Sequence, residues 1–436
     1  MAKPTRVPAQ SHRETPPRSP TVASAFPPFR KPLPERTTPA IIREAPWFAF
    51  NACATPVAPA GPTFGPTRFL LGANVPWIHL GLDVGTSPWR PEGGLHAHPE
   101  DAALLRQVFE RLRNDGVGFA RYFVLGDGRA GVRFAEDGTP EGLDGSVFPD
   151  VEVVLEAARS TGLSLVLVVL DAGWLQPTEL PDGCVVGGHA DTLREVEKRT
   201  AVLERVVRPL LMRFGDHPAV LAWEVMHAPD RRTLGLPGTA EARARATGTR
   251  LGEAALRAWR KVSQRLGLTT ERPERPSWVG KEQMREFLSE AVNLVHRHTQ
   301  ALATVGVSAP TALELVRGLG VDFYAVDWEP EASEETLRRA VSDFGLDRPL
   351  VLGAFPGRHP RRSIKSLLDT ARCAGHGGAF VWSVLQHDGS AGYDGQLGQW
   401  SRNHSGHLFR REVPPPLRAS DGEAGPRSDA PVALQR

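Results

Sequence analysis

The side chains best suited to chemistry stand at or just past the ends of short apolar runs. Glu224 and Asp230 flank the end of one run, and Asp327 and Glu329 stand at the end of another. Paired carboxyl groups can supply the acid and the base or nucleophile of a hydrolytic or group-transfer reaction. Indole rings with a polar rim suit the apolar C–H faces of pyranose sugars. Four indoles follow apolar runs in this way: Trp77, Trp174, Trp328 and Trp382.

The apolar runs form a repeating pattern in which most strand-like segments precede a segment of helical period. Strands that alternate with helices predict parallel pairing through right-handed crossovers. Eight such units favour an α/β fold, a (β/α)8 or TIM barrel, over a doubly wound sheet, and no G-x-G-x-x-G follows an early strand. The predicted strands are 69–75, 118–124, 164–170, 219–225, 301–307, 322–327, 349–353 and 378–384.

A helix is predicted after every strand except the last. The stretch that follows Val384 is rich in glycine and gives no convincing eighth helix. Because barrel sites are built at the C-terminal ends of the strands, the strand ends carry the functional information. The predicted helices cover 100–114, 151–160, 191–214, 281–299, 311–319, 334–344 and 361–374.

The composition divides the 436 residues into one large domain and two tails. Residues 1–45 contain ten Pro and eight Lys or Arg, so we expect a disordered, basic tail, and 412–436 has a similar character. The barrel then occupies 46–411, with a helical insertion at 231–280 on its C-terminal face. The tail 1–45 and the insertion are the segments through which a protein partner would dock.

Several function classes are disfavoured by the composition. A net charge of +2 gives no reason to expect nucleic acid, and the longest apolar run, 163–170, is too short for a membrane span. Three scattered cysteines and His pairs without a third ligand indicate neither a disulfide scaffold nor a metal site, and nothing indicates a cofactor. The N-terminus has no apolar core, so we expect a cytoplasmic protein, with extracytoplasmic export left open.

Four strand ends carry short motifs that occur together in one group of enzymes. They are F-A-R-Y at 119–122, A-W-E-V-M-H-A-P at 222–229, L-V-L-G-A-F-P at 350–356 and F-V-W-S at 380–383. The set resembles the retaining (β/α)8 glycoside hydrolases of the cellulase and β-mannanase clan (family five-like). The resemblance implies a barrel that binds an oligo- or polysaccharide, with Arg121 beside the nucleophile and Trp382 under a sugar ring.

The departures from this pattern fall on the catalytic positions. Ala228 stands at the acid/base position, Ala354 at the nucleophile position, and His227 at the place of an Asn. A retaining enzyme needs two carboxyl groups about 5–5.5 Å apart, and an alanine methyl can neither attack nor donate a proton. The leading interpretation is therefore a pseudo-glycosidase, with no intact catalytic residues, that acts as a carbohydrate-binding or protein-interaction module. Its candidate ligand-binding residues are Arg121, His227, Asp327, Trp328, Glu329, Trp382, Trp77 and Trp174.

Two other functions stay open at this point. One is a β-glycan (mannan or glucan) hydrolase with relocated carboxylates, because an inverting mechanism tolerates carboxyl groups about 6.5–9.5 Å apart. The other is a structural scaffold whose mouth is vestigial. The side chains of Trp77, Trp174 and Trp328 could instead pack in the core or against loops without contacting a sugar. The acids available for relocation are Asp171, Glu224, Asp230, Asp327 and Glu329.

Arg121 raises an electrostatic question. With Ala354 in place of a glutamate, its buried guanidinium would lack the counter-charge that the resemblance implies, which costs about 3–5 kcal/mol. Asp327 and Glu329 stand on the adjacent strand end with the same inward parity. We therefore predict that one of these two carboxylates pairs with Arg121.

Overall fold

Eight parallel strands close into a barrel, as the sequence predicts. The computed structural model describes residues 64–236, 277–329, 332–385 and 388–414, which belong to one unit, Val57–Arg436. Each barrel strand pairs with the strands before and after it in the chain, and β1 closes the ring by pairing with β8. The strands are β1 (Leu70–Asn74), β2 (Phe119–Phe123), β3 (Ser164–Asp171), β4 (Val220–His227), β5 (Leu302–Val307), β6 (Tyr324–Asp327), β7 (Leu350–Pro356) and β8 (Gly378–Trp382).

The helices pack around the outside of this ring. Helix α3 consists of three consecutive stretches: Val196–Val202, the π-helical Leu203–Val207, and Arg208–Phe214. The barrel strands form where apolar runs can be buried on both faces. β3 is an example, since it is a nearly continuous run of Leu and Val that is buried on both faces. The other helices are α1 (Pro99–Asn114), α2 (Val147–Thr161), α4 (Lys281–His298), α5 (Leu313–Val316), α6 (Glu334–Arg338), α7 (Ile364–Cys373) and α8 (Gly395–Asn403). A separate four-residue helix, Asp191–Arg194, precedes α3.

The sequence prediction was wrong about the last helix. α8 forms after β8, and the side chain of Asp394 caps it by accepting from Gln396 N at 2.9 Å. Its apolar face is carried by Leu397 and Trp400, a spacing that the glycines around it obscured. Position 398 of this helix requires a glycine, because a Cβ there would come within 2.7 Å of Asp115 Oδ1.

Other predicted segments differ in length or lie outside the described residues. α5 and α6 are each shorter than predicted, and a short 3-10 turn, Val341–Phe344, follows α6. The tail 1–45, most of 412–436 and most of the insertion 231–280 lie outside the described residues. Among the described residues, no helix is both long and apolar enough to cross a membrane.

Aromatic side chains fill the barrel at the N-terminal ends of its strands. Phe119 stacks on Phe409 with ring centroids 5.6 Å apart, and Phe64 meets Phe323 edge-on at 5.4 Å. Arg411 ties the segment after α8 to the same end, since its Nη1 donates to the carbonyl of Val220. This end of the barrel is therefore closed by side chains from outside the eight strands.

A charged layer lies above the aromatic one. Arg121 on β2 donates through Nε and Nη2 to the two carboxylate oxygens of Glu224 on β4, with the Nε contact at 2.7 Å. Both side chains are only 1% exposed, so the ion pair is desolvated. Gly306 on β5 leaves room for it, because a Cβ there would lie 2.2 Å from Glu224 Oε1 and 2.6 Å from Arg121 Nη2.

We expect Gly306→Ala to lower the free energy of unfolding by about 1–3 kcal/mol, because the new methyl group must displace a buried ion pair. Gly145→Ala is the matched control: nothing lies within 4 Å of the position its methyl group would take, so the change should stay within about 0.5 kcal/mol. Urea unfolding at pH 7 measures both. Equal stability of the two variants would contradict the close approach described for residue 306.

Candidate functional site

The mouth of the barrel holds a continuous network of charged side chains. It begins at Arg121, whose Nη1 lies 3.8 Å from Asp327 Oδ1 on β6. The same nitrogen donates to Asn74 Oδ1 on β1 at 3.4 Å, and the Asn74 amide donates to the carbonyl of Gly353 at 3.0 Å. The prediction that Asp327 or Glu329 pairs with Arg121 is confirmed for Asp327, and Glu224 is a second and closer partner.

His227 extends this network to the next strand. Its Nε2 lies 2.8 Å from Asp327 Oδ2 and its Nδ1 lies 2.6 Å from Asp171 Oδ2, so the ring bridges two carboxylates. Asp171 is itself fixed, because its other oxygen accepts from Gly173 N at 2.7 Å. The His227 side chain is 14% exposed and the Asp327 side chain 8%. A sugar hydroxyl would therefore meet an ordered surface.

The two carboxylates hold His227 as an imidazolium. Burial and the charge of Arg121 lower its pKa, but Asp327 and Asp171 outweigh them and raise the pKa of His227 to about 9. Burial would raise the pKa of Asp171 and Asp327, yet the hydrogen bonds and charge of His227 lower both. At neutral pH both carboxylates are ionised, and the proton resides on His227.

The two alanines lie beside this network. Ala354 on β7 is the register partner of Asp327, and it is partly exposed. Ala228 follows β4 in a left-handed conformation with φ of 49°, and its N–H donates to the carbonyl of Gly306 at 2.7 Å. Ala228 is only 1% exposed, so its methyl group offers almost no surface to a ligand.

Three aromatic rings line one side of the mouth. Trp77 meets Trp382 edge-on with centroids 6.3 Å apart, and it meets Phe123 at 5.7 Å. Phe123 in turn packs edge-on against the His227 ring at 5.3 Å. The indole N–H of Trp382 donates to Asp388 Oδ2 at 2.7 Å, which fixes the orientation of this partly exposed ring. The predicted positions of Trp77 and Trp382 therefore come together.

Two predicted sugar platforms are wrong. Trp174 is fully buried, packs on His189 and donates its indole N–H to Thr192 Oγ1 at 3.0 Å. Trp328 is 3% exposed and donates to the carbonyl of Ser333 at 3.3 Å. Both residues follow strand ends, but the loops that cover them cannot be recognised from an apolar run.

Two candidate acids also lie apart from the network. Glu329 is about half exposed and pairs with Arg231, so its parity with Asp327 does not bring it to Arg121. Asp230 is buried and accepts from both the N–H and the hydroxyl of Ser308. Burial raises the pKa of Asp230, although the Ser308 hydrogen bonds oppose it.

Sequence reasoning missed three residues of the mouth. Asn74 lies on β1 at the inward parity of Leu70, which the alternation along that strand could have indicated. Phe123 likewise shares the parity of Arg121 on β2. Asp388 gave no signal, because it lies in a loop whose course the sequence does not specify.

The described residues include one cluster with metal-ligand chemistry, formed by His98, Glu100 and Asp101. Internal ion pairs already occupy these groups. Asp101 contacts Arg90 at 2.9 Å and His79 at 3.0 Å, and His98 contacts Glu92 at 2.9 Å. These contacts explain the cluster without a cation, and the absence of a metal remains a prediction.

Comparison with solved structures shows that the barrel is similar in fold to several glycoside hydrolases. The β-mannanase of the blue mussel Mytilus edulis is 17% identical, with a TM-score of 0.55 over 80% of this chain and 94% of its own. The endo-1,4-β-mannanase of Eisenia fetida is 18% identical, with a TM-score of 0.57 over 79% and 91%. The β-1,4-D-mannanase of Cryptopygus antarcticus is 18% identical, with a TM-score of 0.57 over 79% of this chain and 94% of its own. No family model and no curated protein matches the chain.

These likenesses establish the fold of the chain. Identities below one fifth leave open which chemistry a barrel carries, since one barrel hosts many functions. The (β/α)8 glycoside hydrolase fold implied by the strand-end motifs is confirmed. What the mouth does must be argued from its own residues.

The elevated pKa of His227 predicts a pH-dependent contribution to stability. A histidine whose folded pKa lies above its unfolded value of about 6.5 stabilises fully below that pH and loses the effect as pH rises through about 9. The stability advantage of the wild type over His227→Gln should therefore shrink by roughly 1–3 kcal/mol between pH 6.5 and 9.5.

Urea unfolding of both proteins at several pH values measures this difference. Asp171→Asn is the matched control: with one carboxylate removed, the pH dependence should flatten and shift to lower pH. A wild-type advantage over His227→Gln that stays constant from pH 6.5 to 9.5 would contradict an imidazolium in the mouth.

Proposed function

We propose that this protein binds a carbohydrate in the mouth of its barrel without hydrolysing it. The observation that carries the proposal is the state of the carboxylates around the mouth. Ala228 and Ala354 stand where the strand-end motifs imply the two catalytic glutamates, and the nearby acids are engaged by cations. The retaining mechanism would need one carboxylate free to attack and a second carboxyl group that holds a proton.

The remaining acids are poorly suited to take over these roles. Glu224 is committed to Arg121, and Asp171 and Asp327 are both bonded to His227 with lowered pKa values, so neither holds a proton to donate at neutral pH. Glu329 pairs with Arg231 at the surface. Asp230 has a raised pKa, but its oxygens are engaged by Ser308.

The aromatic wall supplies the chemistry for binding. Trp77 and Trp382 are partly exposed, and their apolar faces can cover the C–H groups of a pyranose ring. Asp171 and Asp327, both held in place by His227, offer fixed hydrogen-bond acceptors for hydroxyl groups a short distance away. Apolar faces beside a few fixed polar groups are typical of a ligand site. Docking of a protein partner through 1–45 or 231–280 stays a separate prediction.

We expect no product from the native chain with β-mannans, β-glucans or their oligosaccharides in a sensitive reducing-end assay. Asp327→Asn and Glu329→Gln serve as controls, since relocated carboxylates would make turnover sensitive to one of them. Turnover by the native chain that either variant abolishes would overturn the non-hydrolytic proposal. An Ala228→Glu/Ala354→Glu variant that gains turnover would support retained sugar binding.

We expect Trp382→Ala to weaken binding of the best oligosaccharide at least tenfold, because the ring is the best-placed sugar platform. Trp328→Phe is the matched control, since that side chain is buried and should leave affinity within about twofold. Isothermal titration calorimetry measures both, after thermal unfolding confirms that each variant folds. Equal affinity of wild type and Trp382→Ala, or absence of binding across the glycan panel, would overturn carbohydrate binding in the mouth.

A further inference from the structure

A basic cavity opens beside the mouth, in the loops that follow the last two strands. Its volume is about 400 Å³, which suits a small ligand. One wall comes from the loop 357–364 after β7, and the other from Gly389 and Gln396 after β8. Neither the charged network nor the aromatic wall of the mouth lines it. The cavity is therefore a feature that the proposed sugar surface does not explain.

Positive charge and hydrogen-bond donors converge on this cavity. Arg358, His359 and Arg362 line it, and none of its lining residues is acidic, although Glu334 contacts Arg362 from behind. His359 Nδ1 accepts from the N–H of Arg361 at 3.3 Å, which leaves Nε2 as the hydrogen-bond donor of the ring. An oxyanion is the ligand that such a lining favours.

Arg362 is rigidly held, yet one of its donors is unsatisfied. Its Nη1 donates to Glu334 Oε2 at 3.1 Å, and its Nη2 donates to Thr370 Oγ1 at 2.7 Å. Its Nε is buried and has no hydrogen-bond partner among the described residues. A buried N–H without an acceptor is unfavourable, and a ligand oxygen would relieve it.

Backbone hydrogen bonds join this cavity to the sugar-binding wall. The carbonyl of Trp382 accepts from Gly357 N at 2.8 Å and from Gly392 N at 3.2 Å. Arg358 N donates to the carbonyl of Ser390 at 2.9 Å, which connects the loops after β7 and β8. These two loops are also where (β/α)8 barrels frequently hold a phosphate group. The ten-residue helix α7 begins at the wall of the cavity, and its N-terminal end adds partial positive charge.

We propose that this cavity binds the phosphate group of a phosphorylated sugar whose ring lies against Trp382. The inference rests on the proposed function, because the ring is assigned to the aromatic wall of the mouth. Arginine matches the oxygens of a phosphate with paired donors, and it does so better than lysine. The ligand class is thus a hexose phosphate or a phosphorylated oligosaccharide rather than a neutral glycan.

Calorimetric titration of the full chain with mannose, mannose 6-phosphate and inorganic phosphate tests this inference. We expect mannose 6-phosphate to bind at least tenfold more tightly than mannose, and Arg358→Gln to remove most of that preference. Arg361→Gln is the matched control, because it makes the same charge change on a neighbouring residue that does not line the cavity. Its effect should stay within about twofold.

The outcomes separate this inference from the function on which it rests. Inorganic phosphate should bind weakly to the wild type, less to Arg358→Gln, and less to both at 0.5 M salt. Equal affinity for mannose and mannose 6-phosphate, or a preference that Arg358→Gln leaves intact, would overturn the phosphate site alone. Binding of inorganic phosphate together with no binding of any sugar, neutral or phosphorylated, would overturn both proposals.

Discussion

The ion pair between Arg121 and Glu224 determines the arrangement of the upper barrel. A guanidinium that is 1% exposed must be matched by carboxylates, because breaking a buried pair costs about 3–5 kcal/mol. Glu224 supplies two oxygens, and Gly306 on the neighbouring strand leaves the space they need. Asp327 completes the set of counter-charges near the guanidinium. The side chains of four strands are therefore ordered around one buried cation.

The same constraint extends across the mouth. Asp327 is shared between Arg121 and His227, and His227 carries the charge on to Asp171. Two cations and three carboxylates thus alternate across the mouth, so each charge faces a partner of opposite sign. A histidine that only replaced the side chain of an asparagine at position 227 would not need a carboxylate on each ring nitrogen.

The fold could be predicted from the sequence because its signal is repeated. Each barrel strand is a buried Leu- and Val-rich run, and the eight runs recur with helices between them. Helix α8 was missed because Gly395 and Gly398 lower helix propensity, whereas packing against Asp115 demands the second glycine. Helix α8 therefore forms because of its tertiary packing, which local helix propensity does not reveal.

The site could be predicted only where strand parity determines it. Arg121 and Asp327 lie in the mouth because alternate residues of a barrel strand face inward. His227 differs in parity from Glu224 on the same strand and reaches the mouth through an irregularity between the two residues. Trp174 and Trp328 follow strand ends as well, yet the chain folds over them, and no spacing rule records the path of a loop. The pairing of Arg121 with Asp327 was predicted, whereas its closer contact with Glu224 was not, because β2 and β4 are not neighbours in the barrel. The strand-end motifs identified where the mouth is. Only the three-dimensional contacts show which residues face it and which are buried behind it.

The closed end of the barrel has a practical consequence for handling the protein. Phe409 lies in the aromatic layer at the N-terminal ends of the strands, and Arg411 binds the carbonyl of Val220 at the same end. The chain therefore passes residue 411 at the end of the barrel opposite the mouth. A surface attachment or fluorophore joined to the chain shortly after this point would start out facing away from the aromatic wall of the mouth. Immobilisation through that side would leave the mouth open to large polysaccharides.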